Sequence, residues 1–316
     1  MQSADLLIGS AMGLFTSFLW AISTNVYKSQ SNEATPLAIS SVKMWAAMIA
    51  MTALVLLPFR TTPFYMPLDS LLFLVSSVTV GLVIGDLLYL TSQERIGVSY
   101  AFPITSTYPI VTYLIAMVFV EEPILVSRLL GVIVAVLGIT IISRSQAMVQ
   151  DLTGTDHDPE RPDTSDPPST PRRVTDWFGI ALALMAALCW ATGSVLLQIG
   201  VHDVDPIDAN FVRMVFGSGI FIPVFSAAVM RGMALPSKRA TGIVMAAGLL
   251  GMTLGSLLYT FTVKMIGASI ASLMGSMSPL FALPISTLVL KEAYSARSIV
   301  GALMTVTGVI LVIIAV

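Results

Sequence analysis

Ten long apolar runs constrain the fold of this chain more than any other feature. Each run approaches the roughly 20 residues that a helix needs to cross the hydrocarbon core of a bilayer. The runs cover residues 6–27, 36–58, 69–91, 98–119, 125–143, 178–200, 206–229, 240–263, 268–289 and 295–315. They are apolar on all sides, whereas the strands of a membrane barrel alternate between apolar and polar residues. The sequence therefore predicts an all-α membrane protein with ten transmembrane helices.

The composition agrees with a chain that is embedded in lipid. Apolar residues make up 56% of the chain and charged residues only 11%, whereas about 25% of a typical soluble domain is charged. Membrane lipid is therefore an expected partner. The net charge of −2 and the lack of a basic stripe argue against a nucleic-acid partner.

One stretch interrupts the apolar pattern between the fifth and sixth runs. Residues 145–176 are rich in Pro, Asp, Ser and Thr and contain no aromatic residue. A segment of this composition cannot bury enough apolar surface to fold. We therefore predict a disordered acidic linker at 145–176, which separates residues 1–144 from residues 177–316.

The two halves of the chain align with one another. A constant offset of 170 residues brings Trp20 onto Trp190 and Pro36 onto Pro206 without a gap. The same offset pairs Lys43 with Arg213, Gly81 with Gly251, Gly85 with Gly255, Tyr89 with Tyr259, Gly97 with Gly267, Pro109 with Pro279, Glu122 with Glu292, Gly131 with Gly301 and Gly138 with Gly308. Matches of these residue types are much harder to obtain by chance than matches of Leu. We infer a duplication, with one five-helix repeat in each half.

The odd number of helices in each repeat makes the second copy enter the membrane from the opposite side. We therefore predict inverted repeats, which underlie many secondary transporters. Lys and Arg concentrate in the loops after odd-numbered helices, for example Lys28 and Arg231, and at the linker ends. The loops after even-numbered helices hold only Arg60, Arg128 and Lys264. Because positive charge accumulates in the cytoplasm, we predict a multi-pass protein of the plasma membrane with a cytoplasmic linker and both termini outside.

Two duplicated stretches resemble a known family. Residues 106–122 with 129–138, and 276–292 with 299–308, each contain a Ser/Pro region within a helix, an acidic loop residue and a glycine-spaced final helix. In these stretches the chain resembles the drug/metabolite transporter superfamily, and within it the EamA-type ten-helix transporters. A basic residue often follows the loop glutamate in that family. None follows Glu122 or Glu292, so the sequence does not predict an ion pair in this loop.

The resemblance implies a secondary transporter that exports or imports a small-molecule substrate, either an amino acid, a metabolite or a drug, by alternating access. A translocase for lipid or lipid-linked solutes, or a non-transporting membrane protein, is the alternative. Because the sequence has no P-loop and no Ser/His/Asp or metal-ligand constellation, we expect no enzyme and no cofactor. The expected partners are the substrate, membrane lipid, and protons or another coupling ion. The chain is expected to be a monomer or a weak dimer.

Charged residues within the apolar runs are candidates for the site. Asp86 shares one helical face with Tyr89 and Gln93, and a carboxylate at membrane depth should face the protein interior. It is either a substrate-amine or proton site, or a structural partner for Lys43 or Arg213, or a group close enough to the membrane interface to stay hydrated. Those two basic residues could bind an anionic substrate group, or they could snorkel towards the headgroups. Proton coupling, where present, would use Asp86.

Part-polar stripes on the first helix of each repeat suggest the lining of a cavity. Trp20, Thr24 and Tyr27 form one stripe, and Trp190, Ser194 and Gln198 form the other. Tyr89 and Tyr259 are a second duplicated aromatic pair. We predict a substrate site formed by Trp20, Thr24, Lys43, Asp86, Tyr89, Trp190, Ser194, Gln198, Arg213 and Tyr259.

Glycine and proline positions predict the helix packing. The Gly-x-x-x-Gly spacings at Gly81 and Gly251 allow helices three and eight to approach a neighbour closely. Prolines within helices four and nine remove backbone hydrogen bonds and favour kinks. These prolines are Pro103, Pro109, Pro279 and Pro284.

Overall fold

The computed structural model describes residues 3–57, 63–123, 125–153, 176–281 and 296–314, and no residue in these ranges lies in a β-strand. Within these ranges, twelve α-helices follow one another. They are α1 Ser3–Ser29, α2 Pro36–Val55, α3 Leu68–Ser77, α4 Asp86–Ile96, α5 Val98–Thr105, α6 Tyr108–Phe119, α7 Val126–Thr153, α8 Trp177–Val201, α9 Pro206–Met230, α10 Lys238–Gly248, α11 Ser256–Gly275 and α12 Ala296–Ile314. The prediction of an all-α fold is confirmed.

Nine stretches of the described residues are long and apolar enough to cross a membrane. Eight of them each correspond to one predicted run. The remaining stretch, Lys238–Gly275, contains the eighth run and the beginning of the ninth, with a bend at Gly267 between them. Residues 282–289 of the ninth run, including Pro284, lie outside the described residues. The count of ten therefore stays a prediction.

Helix starts repeat between the halves at the predicted boundaries. The Thr35 side chain accepts a hydrogen bond from the backbone of Ala38 at 3.3 Å, and Asp205 accepts one from Ile207 at 2.8 Å. A proline follows each cap at the first helical position, where its missing N–H has no helical partner to lose. The sequence therefore determines where the second helix of each repeat begins.

Irregular backbone also repeats at the same offset. A π-helical segment, Val78–Gly85 in the first half and Leu249–Gly255 in the second, precedes α4 and α11. Gly97 and Gly267 both adopt positive φ, at 73° and 81°, a conformation that costs glycine little. The fourth and ninth predicted runs are also interrupted. The breaks lie at residues 106–107, between α5 and α6, and at residues 276–277, after α11. The two breaks lie next to Pro109 and Pro279, as the kink prediction requires.

The Gly-x-x-x-Gly segments contact the first helix of the opposite half. A Cβ atom on Gly81 would lie 3.4 Å from the Cα of Gly193 in α8. A Cβ atom on Gly251 would lie 2.6 Å from the Ser23 hydroxyl in α1. The predicted close approach is therefore present, and it joins the two halves to each other.

The sequence-based boundary of the linker differs from the structure. Helix α7 continues to Thr153, nine residues into the stretch that the sequence analysis assigns to the linker. Residues 154–175 lie outside the described residues. Asp176, at the other end, caps α8 through Gly179 and pairs with Arg95 at 3.1 Å. The Gly179 N–H, followed by the Arg95 guanidinium, holds the pKa of Asp176 below its usual value.

Helices α7 and α12 pack through facing glycines. A Cβ atom on Gly138 would lie 2.5 Å from both the Gly301 carbonyl oxygen and the Thr305 nitrogen. A Cβ atom on Gly131 would likewise lie 2.8 Å from the Gly308 carbonyl oxygen. These backbone atoms cannot move aside as a flexible side chain would. The last helices of the two repeats therefore depend on glycine for their contact.

We expect Gly138→Ala to destabilise the protein by about 1–3 kcal/mol, the usual effect of overpacking. Thermal unfolding in detergent measures this as a lower melting temperature. The matched control is Gly219→Ala, because a Cβ atom there meets nothing within 4 Å and alanine favours the helix. If both variants melt at the wild-type temperature, the glycine contact does not stabilise the pair of helices.

Candidate functional site

A buried ion pair lies within the membrane-spanning part of the first half. The Lys43 ammonium nitrogen is 2.6 Å from the Oδ2 atom of Asp86, and the two residues are 5% and 7% exposed. Lys43 lies seven residues into α2, a distance of about 10 Å along the helix. Asp86 therefore pairs with Lys43 and not with Arg213. This pairing leaves a substrate or proton role for Asp86 as a prediction.

Asp86 also joins the first half to the second. The indole N–H of Trp190 in α8 donates to the Oδ1 atom of Asp86 at 2.9 Å. Gly85 makes room for this approach, since a Cβ atom there would lie 2.8 Å from the Trp190 ring. Lys43 lies above the ring of Tyr27, 5.4 Å from its centroid. One carboxylate therefore connects α2, α4 and α8, and the neighbouring cation contacts α1.

Aromatic rings from both halves surround this contact. The Trp190 ring lies 5.0 Å from that of Tyr89 and 5.8 Å from that of Tyr108, measured between centroids. The Trp20 ring lies 5.2 Å from that of Tyr259. The two groups meet at Gly275, because a Cβ atom there would lie within 3.3 Å of atoms of Trp20, Tyr108 and Tyr259. We call these five rings, Trp20, Tyr89, Tyr108, Trp190 and Tyr259, the aromatic cluster.

Hydrogen bonds fix several of these side chains. The Ser194 and Tyr259 hydroxyls are 2.8 Å apart, and the Tyr108 hydroxyl donates to the Ser272 carbonyl at 2.8 Å. The Trp20 indole donates to the Gly251 carbonyl at 3.0 Å. The two matched tryptophans therefore differ in chemistry, because Trp190 binds a carboxylate and Trp20 binds the backbone.

Arg213 occupies the position in the second half that Lys43 occupies in the first. It is 4% exposed, and its Nη1 atom donates to the Thr260 hydroxyl at 3.4 Å. The guanidinium also interacts electrostatically with Tyr259, and it therefore borders the aromatic cluster. Among the described residues, no carboxylate lies within ion-pair distance of Arg213.

Most of the predicted site residues come together, and two do not. The residues that meet or border the aromatic cluster are Trp20, Lys43, Asp86, Tyr89, Trp190, Ser194, Arg213 and Tyr259. Gln198 instead accepts a hydrogen bond from the Ala268 nitrogen at 2.6 Å and holds the chain after the bend at Gly267. Thr24 is exposed and makes none of the contacts that join the described cluster residues.

The sequence analysis missed Tyr108 as a site residue. Its mate at the repeat offset is Ser278, so duplication gives no signal there. A weak signal was available, because Tyr108 lies between the helix break and Pro109. An aromatic residue beside a proline break in a membrane helix is well placed to face a cavity.

A second buried ion pair lies at the end of the bundle where α6 meets α7. Glu122 pairs with Arg128 at 2.5 Å and also accepts a hydrogen bond from the Ser269 hydroxyl of the second half. The loop thus contains an ion pair that the sequence does not predict. The partner is six residues further along the chain, beyond the turn, and does not directly follow the glutamate.

We expect Asp86→Leu to destabilise the protein by about 3–5 kcal/mol, because it leaves the Lys43 charge buried without its partner. The double variant Lys43→Met/Asp86→Leu should recover most of this loss, since it buries no charge at the pair. Unfolding in detergent gives both values. The single variant Lys43→Met completes the comparison. A double variant that loses the sum of the Asp86→Leu and Lys43→Met effects would show that the groups do not stabilise each other.

The fold and the cluster define a multi-pass helical membrane protein in which two repeats enclose a polar and aromatic centre. The EamA-like transporter family matches residues 7–144 and 177–314, two regions related by the 170-residue offset of the repeats. The chain therefore belongs to the EamA-like transporter family, which confirms the resemblance noted in its sequence.

Individual relatives agree with this membership. An uncharacterized transporter of Archaeoglobus fulgidus is 28% identical over 133 residues, which cover 42% of this chain and 47% of the relative. The uncharacterized transporter YdfC of Bacillus subtilis is 26% identical over 141 residues, 45% of each chain. The chain thus matches about half the length of these curated relatives. A solved structure titled only "Crystal structure of protein" is similar in fold, with a TM-score of 0.70 and 15% identity over 99% of this chain and 98% of that one.

Proposed function

We propose that this protein is a secondary transporter that moves a small polar or amphipathic solute across the membrane by alternating access. The observation that carries the proposal is the hydrogen bond from Trp190 to Asp86, at the centre of a buried cluster that both halves build. A site shared by two inverted repeats can open to either side when one repeat rocks against the other. The direction of transport is left open between export and import.

The helix breaks support a solute site at this centre. Tyr108 directly follows the break at residues 106–107, and Gly275 directly precedes the break at residues 276–277. Both residues belong to the region where the aromatic rings meet. Discontinuous helices at the repeat interface characterise the binding sites of many secondary transporters.

Polar contacts between the halves at both ends of the bundle support alternating access. At the end that carries the even-numbered loops, Ser269 of the second half donates to Glu122 of the first. At the opposite end, Ser237 donates to Glu33 at 2.5 Å, and Arg95 pairs with Asp176. The first contact is part-buried and the others are exposed. Either set can break while the other holds, as a transporter that opens on one side at a time requires.

The surroundings of the site favour a solute transporter over a lipid translocase. A translocase needs a polar groove that opens sideways to lipid, whereas Asp86, Tyr89 and Tyr259 are buried between the two halves. The loop charges favour a plasma-membrane orientation with the linker in the cytoplasm. Protons or another ion are the proposed coupling species, with Asp86 as the proton site.

The proposal predicts a solute that raises the melting temperature of the purified protein and exchanges across proteoliposomes. A screen of amino acids, metabolites and cationic drugs, followed by counterflow of the hits, provides the measurement. Trp190→Phe keeps an aromatic ring but removes the N–H that donates to Asp86. The rate of solute exchange should therefore fall roughly tenfold, the ratio that about 1.4 kcal/mol produces.

Trp177→Phe is the matched control, because Trp177 is exposed at the start of the same helix. A Trp190→Phe protein that exchanges solute at the wild-type rate would contradict the proposed site. If none of the screened solutes stabilises the protein or exchanges, the proposed transport activity is contradicted.

A further inference from the structure

The two matched cations of the repeats have different electrostatic surroundings. Lys43 pairs with the Asp86 carboxylate and lies above the Tyr27 ring. At the repeat offset, Ser256 stands in place of Asp86 and Leu197 in place of Tyr27. The Lys43 charge is therefore neutralised in the first half. The matching positions around Arg213 in the second half hold neither a carboxylate nor an aromatic ring.

The residues that replace them do not compensate for the Arg213 charge. The Ser256 hydroxyl donates to the Oδ1 atom of Asn210 at 2.9 Å and is occupied there. Thr260, the residue that Arg213 contacts, donates its own proton to the Ser256 carbonyl at 2.8 Å. Its oxygen remains as a neutral acceptor, 3.4 Å from the guanidinium, a distance beyond the usual range for such a bond.

Arg213 consequently has donor capacity that the protein leaves unused. Its Nε–H is buried and has no hydrogen-bond acceptor among the described residues. A guanidinium keeps its charge at physiological pH, and a buried charge without a partner is strongly unfavourable. Lys43 and Asp86 neutralise each other, whereas no carboxylate of the described residues lies within ion-pair distance of the Arg213 charge.

Arg213 lies where a solute in the aromatic cluster could reach it as the halves move. Thr260 is adjacent to Tyr259, whose ring contacts Trp20. One turn beyond Arg213, Gly217 and Ser218 pack against Met44 of the first half. Helix α9 is thus part of the interface between the halves. Rocking of the repeats would therefore change how accessible the Arg213 guanidinium is to a solute.

We propose that Arg213 binds the anionic group of the transported solute, and that this group is a carboxylate. The Nε–H and a neighbouring Nη–H form the edge of the guanidinium that matches a carboxylate with two parallel hydrogen bonds. Binding neutralises a charge that has no ion-pair partner in the described part of the chain. This inference rests on the proposed transport function and names the substrate class as small organic acids or zwitterions.

Pairs of carboxylates and the amides in which an uncharged amide group replaces the carboxylate test the substrate class. The probes for thermal stabilisation of the full chain are butyrate with butyramide, phenylacetate with phenylacetamide, and L-leucine with L-leucinamide. Inorganic phosphate and phenyl phosphate test the other common anion. We expect at least one carboxylate to raise the melting temperature while its amide does not. If amides stabilise equally well, or if only phosphates stabilise, the carboxylate assignment is overturned.

Variants of Arg213 separate binding from folding. In Arg213→Met the apparent dissociation constant for the stabilising carboxylate should rise at least tenfold, with no loss of melting temperature in the absence of solute. Arg213→Lys should retain part of the response, because lysine keeps the positive charge but lacks the two parallel N–H donors of the guanidinium. Arg231→Met, at the exposed end of the same helix, should respond as the wild type does. An Arg213→Met protein that still binds the carboxylate with unchanged affinity would contradict the proposal.

The outcomes distinguish this inference from the proposed function. Counterflow of a neutral or cationic solute without any response to carboxylates would leave transport intact and overturn the role of Arg213. The absence of stabilisation and exchange for every probe, whatever its charge, would overturn the transport proposal and this inference with it.

Discussion

A carboxylate within a bilayer is stable only where the protein supplies partners for it, and the centre of this protein is arranged around that requirement. Asp86 accepts from the Lys43 ammonium and from the Trp190 indole, which belong to different halves of the chain. The glycine at position 85 allows the indole to approach. Asp86 is buried, and the low local dielectric of a buried site strengthens both interactions. The contact between the repeats at the centre is thus polar, specific and dependent on its geometry.

The repeats share their backbone more faithfully than their side chains. The π-helical segments, the positive φ angles at Gly97 and Gly267, and the breaks in the fourth helix of each half all recur at one offset. These features set where helices bend and how the halves pack. The side chains at the centre have diverged, since an aspartate faces Lys43 and a serine occupies the matching position near Arg213. The backbone geometry that the two repeats share suits a movement in which each half adopts, in turn, the conformation of the other. Divergent chemistry suits the recognition of an asymmetric solute.

Much of this arrangement could be predicted from the sequence, because most positions can be compared with a counterpart in the other repeat. The helices, their caps and the glycine contacts follow from residue type and spacing, and most of the predicted site residues meet. Gln198 and Thr24 do not, since periodicity identifies a helical face but not the neighbour that covers it. The pair of Glu122 with Arg128 was missed because a turn brings together residues that sequence distance separates. Helix α7 runs past its apolar part because Gln, Ala, Met and Leu favour a helix without burial.

Alternating access requires that the aromatic cluster opens to each side of the membrane in turn. Ser194→Cys in a Cys189→Ala background places one thiol beside Tyr259, and a membrane-impermeant maleimide applied to right-side-out and inverted vesicles measures its accessibility. Ser226→Cys, exposed near the end of α9, is the control and should react from one side only. We expect the thiol at position 194 to react from both sides, and each reaction to be slower when solute is present. Reaction from a single side under every condition would contradict alternating access at this site.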